Sequence, residues 1–261
     1  MLLDCHDQPA RIIAGFCFFT YANLLATSFS IAAPVSVTNF SFEVDANNFN
    51  EFYFGVPTGW QLFDPAGING GNDVAGTLTA TGSQFFNHGA PDGDNVGILF
   101  IGNQVGQGEY GFTQTLGSVL EVDTTYTLTV SVGNIQSGTA ITNDFFDLSG
   151  FPGYRIELVA GNTVVASDSE GIDSPIPEGE FEDRQIVFTP DASQAGLFGQ
   201  ALQIRLINTN LTDPNFSGVD LEVDFDNVLF DAAPAAVPIP PALPLMVIGL
   251  AGLVFGGRRR D

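Results

Sequence analysis

The run Thr125-Tyr126-Thr127-Leu128-Thr129-Val130-Ser131-Val132 alternates hydroxyl and apolar side chains without a break. Successive side chains of an extended backbone point to opposite faces, so Tyr126, Leu128, Val130 and Val132 share one face and Thr127, Thr129 and Ser131 the other. This spacing predicts a half-buried strand. Leu202, Ile204 and Leu206 alternate with Gln203 and Arg205 in the same way, and Ile186 and Phe188 repeat it. The apolar run 96–101 predicts a strand covered on both faces. Gly, Asn, Asp and Pro punctuate these runs, and no stretch of ten or more residues between the two chain ends shows helical periodicity. The expected fold class is all-β, an antiparallel β-sandwich of jelly-roll type, with an N-terminal signal helix and a C-terminal transmembrane helix.

The chain has 261 residues and a formal net charge of -23. Lys is absent, and the cations away from the two ends are Arg155, Arg184 and Arg205. Phosphate backbones are bound by clustered cations that displace counterions, so nucleic acid is excluded as a partner. Both cysteines, Cys5 and Cys17, lie near the N-terminus, leaving the central domain without a thiol. Phe16 precedes Cys17, which makes it a poor lipoprotein acceptor.

Residues 12–26 are almost uncharged, follow Arg11, and lead to Ser30-Ile31-Ala32, a small-x-small cleavage pattern. They predict a signal peptide over residues 1–32. A β-sandwich domain is expected over 33–231, and a linker with a sorting signal over 232–261. In that last segment Val237-Pro238-Ile239-Pro240-Pro241-Ala242 leads into an apolar run ending at Phe255, followed by Gly256-Gly257-Arg258-Arg259-Arg260-Asp261. The run is at the short end of what spans a hydrocarbon core of about 30 Å, and the arginine triplet would stay cytoplasmic.

This tail resembles the PEP-CTERM sorting signal, particularly its Val-Pro-Leu-Pro-Ala variety, with Ile239 where the founding pattern has Glu. The resemblance implies an exosortase-like processing enzyme as partner, a transient hold on the inner membrane, and final delivery to the cell surface or exterior. Two further motifs resemble carbohydrate-binding modules of the galactose-binding-like jelly-roll type. They are Asn39-Phe40-Ser41-Phe42-Glu43, followed by Pro57-Thr58-Gly59-Trp60, and Asp224-Phe225-Asp226-Asn227-Val228. That resemblance implies paired first and last strands and a structural calcium held by Glu43 and Asp226.

The last strand is unusual without any family. Leu221, Val223 and Phe225 share one face and Asp220, Glu222, Asp224 and Asp226 the other, but Val228 and Phe230 take the opposite parity. A regular strand cannot switch its buried face, so a bulge is expected near Asp226 and Asn227. Asp226 aimed inward would need a cation or several hydrogen bonds, and calcium suits an oxygen set better than zinc. A solvated acidic stripe is the alternative. Asp92-Gly93-Asp94-Asn95 lacks EF-hand spacing and is expected as a turn. Trp60, with Tyr53 or Tyr110, is a candidate sugar platform or else a core cap. Residues 137–152 and 168–182 are expected as long loops.

Catalysis finds little support in these residues. His88 is the one histidine of the central domain, and no Ser stands in a nucleophile elbow. The expected function is therefore an exported, exosortase-sorted, non-catalytic surface or matrix protein that binds exopolysaccharide. A glycan-active hydrolase on the same scaffold and a purely structural envelope protein are the alternatives.

Overall fold

A computed structural model describes residues 32–45, 51–68, 74–102, 108–173 and 175–235. The signal segment and the sorting motif Val237 to Pro240 with Arg258, Arg259 and Arg260 lie outside the described residues. Among the described residues no helix is long and apolar enough to cross a membrane.

Among the described residues fourteen strands follow in chain order. They are β1 (Ala33–Pro34), β2 (Phe52–Phe54), β3 (Gln61–Phe63), β4 (Val74–Thr79), β5 (Asn95–Ile101), β6 (Tyr110–Val119) and β7 (Thr124–Asn134). After them come β8 (Gly138–Thr139), β9 (Phe145–Phe146), β10 (Tyr154–Ala160), β11 (Thr163–Glu170), β12 (Glu180–Phe188), β13 (Ala201–Asn208) and β14 (Leu221–Pro234). Two antiparallel sheets form a sandwich. The first runs β12-β7-β14-β5-β4-β2, with β1 also on β14, and the second runs β11-β10-β13-β6-β3. Strands β8 and β9 pair with each other in a small separate sheet.

The alternating runs fill the space between the sheets. Tyr126, Leu128, Val130 and Val132 of β7 are buried against Leu202, Ile204 and Leu206 of β13 and Ile156 and Leu158 of β10. The parity switch is present: the β14–β7 register shifts between Asp226 and Leu229, and Asn227 takes φ 49. On either side of it Phe225 and Val228 both reach the inter-sheet core.

The outer face of the first sheet departs from expectation. An antiparallel sheet is commonly solvated on one face, yet here a second apolar cluster covers it, built from Leu78, Phe85, Phe86, Val96, Ile98, Ile135 and Leu148. The segment 137–152, expected as a loop, supplies the β8–β9 hairpin of this cover. Glu222, Asp224 and Asp226 lie beneath it at 3%, 0% and 0% exposure, so the solvated acidic stripe is not what forms.

Candidate active site

Strand β14 lies between β5 and β7 and projects its carboxylates onto the covered face. Glu222 stands beside Phe100 of β5, Asp224 between Ile98 of β5 and Gly133 of β7, and Asp226 opposite Ser131 of β7. Gly133 makes room for an aromatic roof, because a Cβ there would come within 2.5 Å of the Phe181 ring. Phe181 in turn stacks on Phe86 at 4.4 Å between ring centroids. Farther along the face, Phe146 of β9 meets Phe52 at 5.7 Å and Phe100 at 6.4 Å.

These rings line a cavity of about 70 Å³, partly open to solvent, whose walls include Phe52, Phe54, Phe100, Phe146 and Leu148, with Glu222 as the one ionisable group among its lining residues. Oε1 of Glu222 and both oxygens of Asp224 are buried without a donor. The two carboxyls stand two residues apart on one face of β14, and with no donor to these oxygens, burial favours the protonated form over an unpaired charge. Burial pushes Glu222 up to about 8, with the Asp220 charge adding to it. Burial first, and then the Glu222 charge, raise Asp224 as well. A carboxyl kept protonated in an apolar pocket can donate a proton at neutral pH.

The two residues anticipated as metal ligands meet at one loop. Glu43 Oε1 accepts from the Asp94 and Asn95 N–H groups at 2.8 and 2.6 Å, and its Oε2 accepts from Asn95 Nδ2 at 3.0 Å. Asp226 Oδ2 accepts from the Asp92 N–H at 2.8 Å, while Oδ1 is buried without a partner. Gly93 sits at φ 76 against the Glu43 carboxyl, where a Cβ would not fit. Among the described residues no group of three or more His, Cys, Asp and Glu side chains converges on one point.

Trp60 is 5% exposed, stacked on Phe42 at 5.6 Å, and donates Nε1–H to the Asn39 carbonyl. Its ring is part of the core, and Tyr110, 1% exposed, is core as well, whereas Tyr53 is surface-exposed. His88 is exposed, 3.7 Å from Glu180. The three arginines are engaged elsewhere: Arg155 with Glu109 and Glu157, Arg205 with Glu157, and Arg184 with Glu170 and Glu182.

The family profile described as HpiC1 cyclase matches residues 33–231. The chain belongs to the HpiC1-like cyclase family. No curated protein matches it. Among solved structures, this HpiC1-like cyclase is similar to the Stig cyclase Fisc from Fischerella sp. TAU in complex with (3Z)-3-(1-methyl-2-pyrrolidinylidene)-3H-indole. The two share 34% identity over 79% of this chain and 100% of that one, with a TM-score of 0.67. A cyclase from Fischerella sp. TAU in complex with 4-(1H-indol-3-yl)butan-2-one matches at 34% identity, with the same coverage and a TM-score of 0.68. An apo cyclase from Fischerella sp. matches at 35% identity over 79% and 98% of the two chains, with a TM-score of 0.68.

These relationships correct several expectations. The family is one of cyclases, so the HpiC1-like chain is an enzyme and not a non-catalytic surface protein, and a PEP-CTERM family assignment does not hold. The exosortase-like and exopolysaccharide partners, and the membrane-anchored, cell-surface location built on them, fall with it; two of the solved relatives have small indole molecules bound. Glu222 and Asp224 were missed because acidic side chains on one face of a strand ordinarily mark the solvent side. A signal was nevertheless present in Phe52, Phe54, the pair Phe85-Phe86 and the pair Phe145-Phe146, which are more aromatics than one inter-sheet core takes up.

Proposed function

We propose that this HpiC1-like cyclase closes a ring on an apolar, indole-bearing substrate in the outer-face cavity, with Glu222 as the proton donor. The observation that carries the reading is a single buried acid, unpaired on one oxygen, in the wall of an otherwise apolar aromatic pocket. The indole compounds bound to the Fischerella cyclases supply the substrate class. Protonation of a substrate π bond or imine nitrogen by Glu222 makes the adjoining carbon electrophilic. A second π bond of the same molecule attacks it, forming the new carbon–carbon bond. Loss of a proton from the resulting cation returns Glu222 to its acid form, so the reaction is an isomerisation with no oxidant and no leaving group. The phenylalanine walls exclude water that would otherwise trap the cation.

Calcium fits the Glu43 and Asp226 pair as a structural ion. Asp226 Oδ1 is a buried oxygen without a partner, beside a loop whose N–H groups already hold the Glu43 carboxylate. A hard divalent cation takes such oxygens and would fasten residues 91–95 over β14.

Glu222→Gln tests the catalytic reading. It is expected to retain binding of 4-(1H-indol-3-yl)butan-2-one, followed by calorimetry, while mass-neutral conversion of indole-bearing alkenes falls by about 10²-fold or more. Turnover at the wild-type rate in this variant would remove Glu222 from the chemistry.

A further inference from the structure

A dry protein cavity of about 150 Å³ takes a benzene ring. The cavity facing Glu222 has about 70 Å³ and is partly open to solvent beside the exposed Phe54, too little to sequester an indole, so its walls must part further before a substrate can be taken in. We infer that the β8–β9 hairpin is a gate over the acid cavity, hinged on its contacts with residues 84–85 and released on the side of β2, where Glu51 latches it. The inference rests on reading this cavity as the substrate site.

The hairpin is built to move as one body. Its two strands form no ladder with either main sheet. Its tip is a tight turn, with Ala140 N–H to the Asp144 carbonyl at 2.9 Å, Asn143 N–H to the Ala140 carbonyl at 2.8 Å, and Asn143 at φ 68. Its base is strapped by Leu148 N–H to Ser137 Oγ at 2.9 Å and by Ser137 Oγ to Asp147 Oδ1 at 3.3 Å.

Its attachments differ on the two sides. Toward residues 84–85, Gln136 N–H donates to the Phe85 carbonyl at 3.2 Å, Gln136 Nε2 to the Gln84 carbonyl at 2.7 Å, and Thr139 N–H to Gln84 Oε1 at 3.4 Å. Toward β2, the polar tie is Ile141 N–H to Glu51 Oε2 at 2.8 Å, with the Phe146 and Phe52 rings in contact beneath it. Both rings line the cavity with Glu222, so parting them opens its wall. Ile141 and Phe145 are 68% and 67% exposed on the hairpin's outer side, so the tip gains little from the main body by staying closed. Three hydrogen bonds, one of them main chain to main chain, hold one side and the Glu51 carboxylate latches the other, which favours opening at the latch.

Thiol labelling tests the gate without requiring turnover. In the full chain with Cys5→Ser and Cys17→Ser, Ile98→Cys places a thiol on the cavity wall, and Ile204→Cys places one in the inter-sheet core as a reporter of global unfolding. Ile98→Cys is expected to react with a soluble disulfide reagent at least about 100-fold faster than Ile204→Cys. Adding Glu51→Ala should speed it about 10-fold further, as loss of one hydrogen bond to a charged group would, and Glu51→Gln should recover most of the difference. Hydrogen exchange on the unsubstituted protein supplies the second measurement: amides of residues 138–146 should exchange well ahead of those of β14. Equal labelling of the two cysteines, no response to Glu51→Ala, or hairpin amides as protected as β14 would each overturn the gate. The proposed chemistry fails separately, by its own turnover assay.

Discussion

Glu222 couples chemistry and stability through one proton. In the fold it titrates at about 8, whereas an unfolded glutamate does so near about 4.3. Between those values the native state binds a proton that the unfolded chain releases. The Glu222 contribution is therefore full below about pH 4 and is lost as pH rises to about 8, a change on the order of a few kcal/mol. Urea midpoints measured across that range should fall with rising pH, and Glu222→Gln, which cannot ionise, should reduce the slope, the remainder coming from Asp224 and Asp226, which burial also raises. The same titration predicts that kcat/KM falls above about pH 8 in the wild type, because the proton donor is then lost. None of this could be read from the sequence, since the period of two puts Glu222 opposite Leu221 and Val223 without saying whether that side is wet. The fate of Asp226 was more legible: the parity change from Phe225 to Val228 required a bulge, and it is there.

At the level of elements, β7 and β13 were legible because one of their faces meets the core and the other does not, and alternation encodes that contrast. The hairpin in 137–152 was not, because two-residue strands carry too short a pattern, and its Phe146 ring packs on Phe85 and Phe52, distant in sequence. Strand-to-strand fit on the covered face gives a direct test. Gly133→Val would drive a side chain into the Phe181 ring and is expected to cost about 1–3 kcal/mol, seen as a drop of several degrees in Tm. On the second sheet, Glu157 ties β10 to β13 by accepting from Arg155 Nε at 2.7 Å and Arg205 Nη1 at 3.1 Å. Its side chain is 7% exposed and those of the arginines 20–26%, so Glu157→Gln should cost about 1–2 kcal/mol in denaturant melts, below the range of a fully buried pair. Activity should be unaffected, because this network lies on the other sheet from the cavity.

For the whole molecule, the charge excess and the calcium reading meet in one measurement. Carboxylates outnumber cations by 30 to 7, so added salt should stabilise the domain broadly by screening. Calcium should stabilise it beyond an equal ionic strength of sodium chloride, by about 2.7 kcal/mol at a hundredfold excess over the dissociation constant. Chelator should reverse the gain and Asp226→Asn should abolish it; thermal midpoints indifferent to both would reject the ion. A last consequence follows from β14 being an interior strand of its sheet, flanked by β5 and β7, although it is the last in chain order among the described residues. While the polypeptide is still emerging from the ribosome, β5 and β7 await the neighbour that joins them, and the residue assigned to catalysis arrives with that neighbour. A nascent chain halted before Leu221 should therefore be protease-sensitive and inert, and completion of the fold and the onset of activity should coincide.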